Sequence, residues 1–105
     1  MPVISIVGAL SEQYPIVFMS GREDRCRNET VNWLMEHTYF GGGEPTLHMR
    51  TTGDHRPDYI IKGELFDAHI RGKYNVIGVL DDRDQVVRLW RDMGLTCLQV
   101  ADGAF

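Results

Sequence analysis

The stretch "YNVIGVLDDRDQVVRLWRDMGL", residues 74–95, decides which fold the sequence favours. Residues 74–80 form an apolar run of the kind found in buried strands, and residues 84–93 show helical periodicity. The apolar residues that recur at helical spacing are Val86, Val87 and Trp90. Gly94 follows them, as glycine commonly does at a helix end. The stretch therefore predicts a strand followed directly by a helix.

Two adjacent carboxylates, Asp81 and Asp82, lie between that strand and that helix. Neighbouring like charges repel each other unless a cation or a proton compensates them, so the pair suggests a metal site. Aspartate is also a favoured residue at the start of a helix. A polar strand end that caps the following helix is thus an equally good interpretation of this pair on local sequence.

The rest of the chain continues the alternation of strands and helices. Further strands are predicted at 16–19, where Ser20 and Gly21 break the run, at 46–50 and at 95–101. Helices are predicted at 24–37 and at 58–70; in the second, Ile61, Leu65 and Ala68 share one face and Asp58 supplies a capping start. Such alternation is typical of a parallel, helix-covered sheet. "TTGDHRP" is predicted to be a turn, and residues 2–10 fit a strand or a helix equally well.

Composition limits the function classes. The chain has 105 residues, of which 43% are hydrophobic and 25% charged, so we expect one ordinary globular domain. No apolar run is long enough to span a membrane and no signal peptide is recognisable, which predicts a cytoplasmic protein without a membrane partner. Cys26 and Cys97 have no metal-ligand spacing and are expected to be reduced thiols. A net charge of −4 restricts any nucleic acid contact to a local site.

Polar residues follow the predicted strands at the edge where open α/β sheets bind ligands. They are a serine, glycine and arginine after the first strand, an aspartate and a lysine one helical turn apart, and the carboxylate pair: Ser20, Gly21, Arg22, Asp58, Lys62, Asp81 and Asp82. Hydroxyl, ammonium and paired carboxylates together are typical of a phosphate pocket with Mg²⁺. Each residue alone has a simpler interpretation: Ser20 in a turn, Arg22 as a solvated charge, and Lys62 in an exposed pair with Asp58.

Four stretches, "IVFMSGRED", "LHMR", "GDHRPDYIIKGEL" and "VIGVLDDRDQVVRLWRDMGLTCLQVADGAF", resemble the 3′-phosphatase domain of bacteriophage polynucleotide kinase/phosphatase, in the haloacid dehalogenase (HAD) superfamily. The resemblance covers nearly the whole chain. It implies a Rossmann-like HAD core, in which a mainly parallel sheet is flanked by helices, as one truncated domain over residues 1–105 that lacks the first, nucleophile-bearing strand. It also implies a helix at residues 2–13.

The resemblance carries roles over to individual residues. Ser20 matches the serine that binds a phosphoryl oxygen, and Arg22 stands where the family has an arginine at the substrate. Lys62 matches the lysine that neutralises the phosphate, and Asp58 the aspartate that orients this lysine. Asp81 and Asp82 match the motif that holds Mg²⁺ in the family.

Two further arginines belong to the resemblance. Arg50 and Arg56 lie on stretches like the family's "MR" and "GDxRxD", where they are expected to meet the nucleic acid backbone. A structural salt bridge is as good an explanation for either residue. Together with Gly21 and Arg22 they form the predicted substrate-binding set.

The family's reaction begins with an aspartate of a DxDGT motif attacking phosphorus. These 105 residues contain no DxDGT, and "GGGEPT" provides no P-loop for ATP. We therefore expect a chain related to an enzyme of nucleic acid end repair, a hydrolase that is inactive alone. A homodimer or a partner chain is expected to supply the missing strand. The alternative is a noncatalytic module that binds Mg²⁺ or the terminal phosphate of a nucleic acid; a receiver-like domain explains the motifs less well.

Overall fold

The structure is a computed structural model, which describes residues 2–38 and 43–105. The chain separates into two compact units, Met1–Asp54 and His55–Phe105, which are described one at a time. The boundary lies in the predicted turn, where the Asp54 N–H donates to the Thr51 carbonyl oxygen at 3.1 Å. Gly53, at φ 89°, adopts the left-handed conformation that this turn requires.

The first unit contains helices α1 (Pro2–Ser11) and α2 (Arg27–His37) and strands β1 (Val17–Glu23) and β2 (Thr46–Arg50). The helix implied at the start of the chain is thus confirmed. Strand β1 pairs with β2 in parallel. The core of the unit joins one face of α2 to the inward side chains of β2: Val31, Leu34, Leu47 and Met49, with Phe18 and Cys26 packed against them.

The predicted end of the first strand at Ser20 and Gly21 is wrong. The strand continues to Glu23, with an irregular register between Ser20 and Glu23, so that Glu23 pairs with Arg50. The Arg50 guanidinium also donates through Nε to the Gly21 carbonyl oxygen at 2.7 Å, which gives this irregular backbone a side-chain partner. A glycine in a strand often marks a bulge, and the sequence alone cannot distinguish a bulge from an end.

The second unit contains helices α3 (Asp58–His69) and α4 (Asp84–Asp92) and the short strands β3 (Val79–Asp81) and β4 (Cys97–Gln99), which pair in parallel. The predicted helix face of α4 is confirmed, since its three apolar residues are buried: Val86, Val87 and Trp90. The Trp90 ring packs on Phe66 of α3, with the ring centroids 5.6 Å apart. On α3, Ile61 and Phe66 are buried whereas Ala68 is exposed, so the predicted inward position of Ala68 is wrong.

Two predicted strands are much shorter in the structure. Residues 74–78 lie outside β3 and are mostly exposed although most of them are apolar, and β4 covers only three of the residues 95–101. An apolar run thus guarantees neither burial nor strand pairing. The predicted caps are also wrong. Helix α3 begins after Pro57, and helix α4 after Arg83, without a side-chain cap. The carboxylates of Asp58 and Asp81 bind other partners.

Candidate functional site

Lys62 is the centre of a charged cluster in the second unit. Its ammonium lies 3.6 Å from Asp58 Oδ2, one turn earlier on α3, and 3.2 Å from Asp81 Oδ2 at the end of β3. The three side chains are only 12%, 10% and 9% exposed, respectively. Buried charges are costly unless they are paired, so the three side chains are constrained to stay in contact. The simpler interpretation of an exposed pair between Asp58 and Lys62 is wrong, because the pair is buried and includes Asp81.

The Asp81 carboxylate accepts hydrogen bonds on both oxygens. Oδ2 accepts from Lys62 Nζ and from the Trp90 indole Nε1, each at 3.2 Å. Oδ1 accepts from the backbone N–H groups of Asp82, at 2.8 Å, and Arg83, at 3.4 Å. Four donors match the lone-pair capacity of one carboxylate. Asp81 therefore joins β3, α3 and α4 around the lysine.

Asp82 differs from Asp81 in burial and in hydrogen bonding. Asp82 is exposed, and among the described residues its carboxylate takes part in no hydrogen bond or ion pair. The described residues also contain no group of three or more His, Cys, Asp or Glu that could enclose a metal ion. Mg²⁺ commonly binds through one or two carboxylates and takes its other ligands from phosphate and water. Asp82, with Asp81 beside it, fits that kind of site.

Two residues of this cluster, Arg83 and Trp90, were not assigned to the site by the sequence analysis. Arg83 Nη1 lies 3.7 Å from Asp58 Oδ2, and its guanidinium lies over the Phe105 ring at 4.8 Å from the centroid. Trp90 was assigned to the core alone. A buried indole N–H needs an acceptor, so a tryptophan on the inward face of the helix after "DD" was the available signal. The position of Arg83 within the acidic run "DDRD" was the corresponding signal for a pairing cation.

The first unit brings its predicted residues together around the end of β1. Ser20 Oγ accepts from the Arg22 backbone N–H at 3.1 Å. The Arg22 guanidinium donates to Thr30 Oγ1 at 3.0 Å and lies 3.8 Å from Glu29 Oε2 on α2. Its side chain is 54% exposed, so this contact leaves much of the guanidinium in solvent. Ser20 lies in the irregular part of β1 and not in a turn after it, and its role at a phosphate stays a prediction.

Arg50 and Arg56 both have protein partners. Arg50 bonds to the Gly21 carbonyl oxygen and, through Nη1, to the Asp54 carbonyl oxygen at 2.9 Å. In the second unit, Arg56 forms a two-pronged pair with Glu64 of α3, with both N–O distances 2.7 Å. The salt bridge that was the alternative for Arg56 therefore exists, and it is exposed on both sides. A contact of either arginine with nucleic acid stays a prediction.

Two groups have shifted pKa values. The Thr52 hydroxyl and backbone N–H donate to Asp24 Oδ1, at 2.6 and 3.1 Å, and hold the pKa of Asp24 below its ordinary value of 3.8. Burial, and then the nearby Asp81 charge, raise the pKa of the Cys97 thiol. Both cysteines are free thiols, as predicted. A thiol with a raised pKa is a poor nucleophile at neutral pH, so Cys97 contributes to packing and not to chemistry.

The model of the polynucleotide kinase PNKP phosphatase domain family matches residues 1–105. The chain belongs to this family. A curated relative of the PNKP phosphatase domain is a putative bifunctional polynucleotide kinase/RNA ligase of Autographa californica nuclear polyhedrosis virus, 50% identical over 78 residues. That match covers 74% of this chain and 11% of the relative.

Two solved structures share the fold of this PNKP phosphatase domain. One is a chain of the Pnkp1/Rnl/Hen1 RNA repair complex, with 42% identity and a TM-score of 0.89 over 100% of this chain. The other is a chain of a Pnkp1/Rnl/Hen1 complex, with 42% identity and a TM-score of 0.90 over 99%. The α/β fold with parallel strands flanked by helices is thereby confirmed. This chain spans 33% and 36% of those chains. Among the residues that the structure describes, every helix is too short or too polar to cross a bilayer.

Proposed function

We propose that this chain provides the phosphate-binding and metal-binding part of a polynucleotide 3′-phosphatase, which removes the 3′-phosphate from nucleic acid ends. The observation that carries the proposal is the Lys62 ammonium held between Asp58 and Asp81. An ammonium has three N–H donors, so two carboxylates leave one donor for a phosphate oxygen. Asp58 and Asp81 orient the lysine. In the first unit, Ser20 is the proposed hydroxyl for a phosphoryl oxygen.

Asp82 is the proposed ligand of Mg²⁺, with Asp81 beside it. Bound Mg²⁺ would offset the negative charge of the phosphate. Asp81 meanwhile keeps Lys62 in place through its Oδ2 atom, and the Trp90 indole keeps Asp81 in place. The two adjacent carboxylates thus have separate tasks: one positions a cation of the protein, and the other holds a cation from solution.

The proposed substrate-binding residues are Gly21, Arg22, Arg50 and Arg56, which contact the nucleic acid end. The exposure of Arg22 supports this role, because its guanidinium can reach a phosphate without leaving Thr30. With a net charge of −4, the chain binds nucleic acid at this local site and not along its surface. The names of the relatives, a polynucleotide kinase/RNA ligase and an RNA repair complex, support a role in nucleic acid repair.

Residues 1–105 contain no DxDGT motif, so the attacking aspartate of the family reaction is not among them. We propose that a segment upstream of residue 1 or a partner chain of different sequence supplies it. The 105-residue chain then binds a phosphate end without hydrolysing it. The second candidate function is a noncatalytic module that holds a terminal phosphate or Mg²⁺. The observation behind that candidate is the buried Lys62 cluster, whose ammonium can hold a phosphate without a nucleophile beside it.

Binding is tested with two fluorescent oligonucleotides that differ only in carrying a 3′-phosphate or a 3′-hydroxyl. In Mg²⁺ we expect tighter binding of the 3′-phosphate, and Lys62→Met should abolish this preference. Lys73→Met is the matched control, because Lys73 is exposed and, among the described residues, its ammonium donates to the Ala68 carbonyl oxygen alone. Equal binding of both oligonucleotides by the unsubstituted chain would contradict both candidate functions.

Turnover separates the two candidates. The 105-residue chain should release no phosphate from the 3′-phosphorylated oligonucleotide. The same chain extended upstream by a strand that carries DxDGT should release it in Mg²⁺, and Lys62→Met in the extended chain should stop the release. An extended chain that binds the phosphate end but stays inactive supports the noncatalytic module.

A further inference from the structure

The closing sequence "QVADGAF", residues 99–105, has no task in the proposed function. In the structure this segment runs along the loop that connects β3 to α4 and carries Asp82. The Val100 N–H donates to the Asp81 carbonyl oxygen at 3.1 Å, and the Asp84 N–H donates to the Gly103 carbonyl oxygen at 2.8 Å. The C-terminal segment therefore binds the backbone on both sides of Asp82.

Gln99 is the side chain that contacts this loop most directly. Its Nε2 donates to the Asp82 carbonyl oxygen at 2.9 Å and to Asp84 Oδ1 at 2.6 Å. A carboxamide NH₂ carries two hydrogens, so one side chain serves both acceptors. Gln99 thereby links the peptide of Asp82 to the first residue of α4.

Gly103 shows how closely the two segments approach. A Cβ atom at this position would lie 1.7 Å from the Asp82 carbonyl oxygen and 2.7 Å from the Arg83 Cα. Both are backbone atoms, so no rotation of a side chain would make room. Only glycine allows the C-terminal segment to pass against the peptide of Asp82.

We propose that Gln99 is a positioning residue for Asp82, the carboxylate assigned to Mg²⁺; this inference rests on the proposed function. Among the described residues nothing engages the Asp82 carboxylate, so its position depends on its backbone. That backbone is held by Asp81, by Gln99 and by the peptide of Gly103. Groups that orient a metal ligand affect metal affinity without touching the metal.

The test compares Gln99→Met with Gln85→Met. Both glutamines are exposed and lie in the same unit, and among the described residues the Gln85 side chain makes no hydrogen bond. Met keeps the length of the side chain and removes its N–H donors. Two quantities are measured by NMR: the exchange rate of the Asp84 amide hydrogen without metal, and the ¹³C shift of the Asp82 carboxylate during titration with Mg²⁺.

In Gln99→Met we expect the Asp84 amide to exchange at least about fivefold faster, since about fivefold corresponds to one lost hydrogen bond and this substitution removes two. The Val79 amide, which donates to the Thr96 carbonyl oxygen at 2.9 Å, should keep its rate. The dissociation constant for Mg²⁺ should rise roughly tenfold, as for lost outer-shell partners of metal ligands. Gln85→Met should match the unsubstituted chain in all three measurements.

The possible outcomes distinguish a failure of the proposed role of Gln99 from a failure of the proposed Mg²⁺ role of Asp82. If the Asp82 carboxylate of the unsubstituted chain does not respond to Mg²⁺, the proposed metal role fails and the inference fails with it. If that carboxylate responds and Gln99→Met binds Mg²⁺ as tightly as the control, only the inference is overturned. Faster exchange with unchanged affinity makes Gln99 a purely structural contact and overturns it as well. Weaker binding with an unchanged Asp84 amide shows that the effect does not pass through the loop, which also overturns it.

Discussion

The two units of the chain both place charged residues near the ends of a parallel pair of strands, but these residues differ in how far they are buried. Each has a parallel pair of strands with polar residues near the strand ends. In the second unit the charges of Asp58, Lys62 and Asp81 are almost completely buried, and the lysine pairs with both carboxylates. In the first unit Arg22 is half exposed and bonds to a hydroxyl and a distant carboxylate. Burial therefore specifies the geometry of the second cluster, whereas water remains an alternative partner in the first.

The largest expected difference between the units is in stability. Asp81→Ala leaves a buried ammonium and a buried indole N–H short of an acceptor, and we expect a loss of about 3 kcal/mol in the free energy of unfolding. Arg22→Ala in the first unit should cost at most about 1 kcal/mol, the range of exposed ion pairs. Urea unfolding followed by circular dichroism measures both variants. Equal losses of unfolding free energy in the two variants would show that burial does not make the Asp81 cluster more important for stability than the contacts of Arg22.

Asp82→Ala is the control for Asp81→Ala. Asp82→Ala removes the same group one residue later, where it is exposed and unengaged among the described residues. Its free energy of unfolding should change by no more than about 0.5 kcal/mol. A loss as large as that of Asp81→Ala would contradict the division of tasks between the two residues.

The tryptophans provide a smaller contrast between the units. Trp90→Phe keeps most of the ring against Phe66 but removes the donor to Asp81, so we expect a loss of about 1 kcal/mol. Trp33 in the first unit is 45% exposed and stacks on His37. Trp33→Phe should therefore stay within about 0.5 kcal/mol of the unsubstituted chain in the same urea measurement. If both variants lose the same amount, the bond to Asp81 has no measurable effect.

The smallest expected effect concerns the pH dependence of the first unit. Hydrogen bonds from Thr52 lower the pKa of Asp24 in the folded state, so they favour folding above the ordinary pKa of 3.8. This contribution is lost as the pH falls through the lower folded value. Thr52→Val should raise the pKa of Asp24 towards 3.8 and make unfolding by acid less steep in that range.

A ¹³C titration of the Asp24 carboxylate measures this pKa directly. The preceding threonine is the control: Thr51→Val makes the same change at an exposed position and should leave the Asp24 pKa where it is. An unchanged Asp24 pKa in Thr52→Val would mean that the hydrogen bond from the Thr52 hydroxyl to Asp24 does not persist in solution.

Much of the fold follows from local patterns. The helices α2, α3 and α4 were predicted nearly to their ends, because their apolar residues recur at helical spacing on a face that packs inward. The existence of all four strands was predicted, and the bounds of β2 were predicted as well, whereas the lengths of the other three strands were not. Residues 74–78 show that a largely apolar run can remain exposed and outside a strand. Residues 2–10 fitted either type of element, and only the resemblance favoured the helix that the structure has.

The sequence by itself determined the chemical groups of the site and their order: the serine and arginine near the end of β1, the aspartate and lysine one turn apart on α3, and the two carboxylates at the end of β3. Their family resemblance was also readable, because motif order and spacing are properties of the chain. Only the tertiary structure decided which of the two carboxylates is engaged, since Lys62, Trp90 and Asp81 meet through packing of separate elements. The contact of Gln99 with the Asp82 peptide was decided in the same way, because hydrogen bonds between distant segments depend on the fold and leave no local pattern.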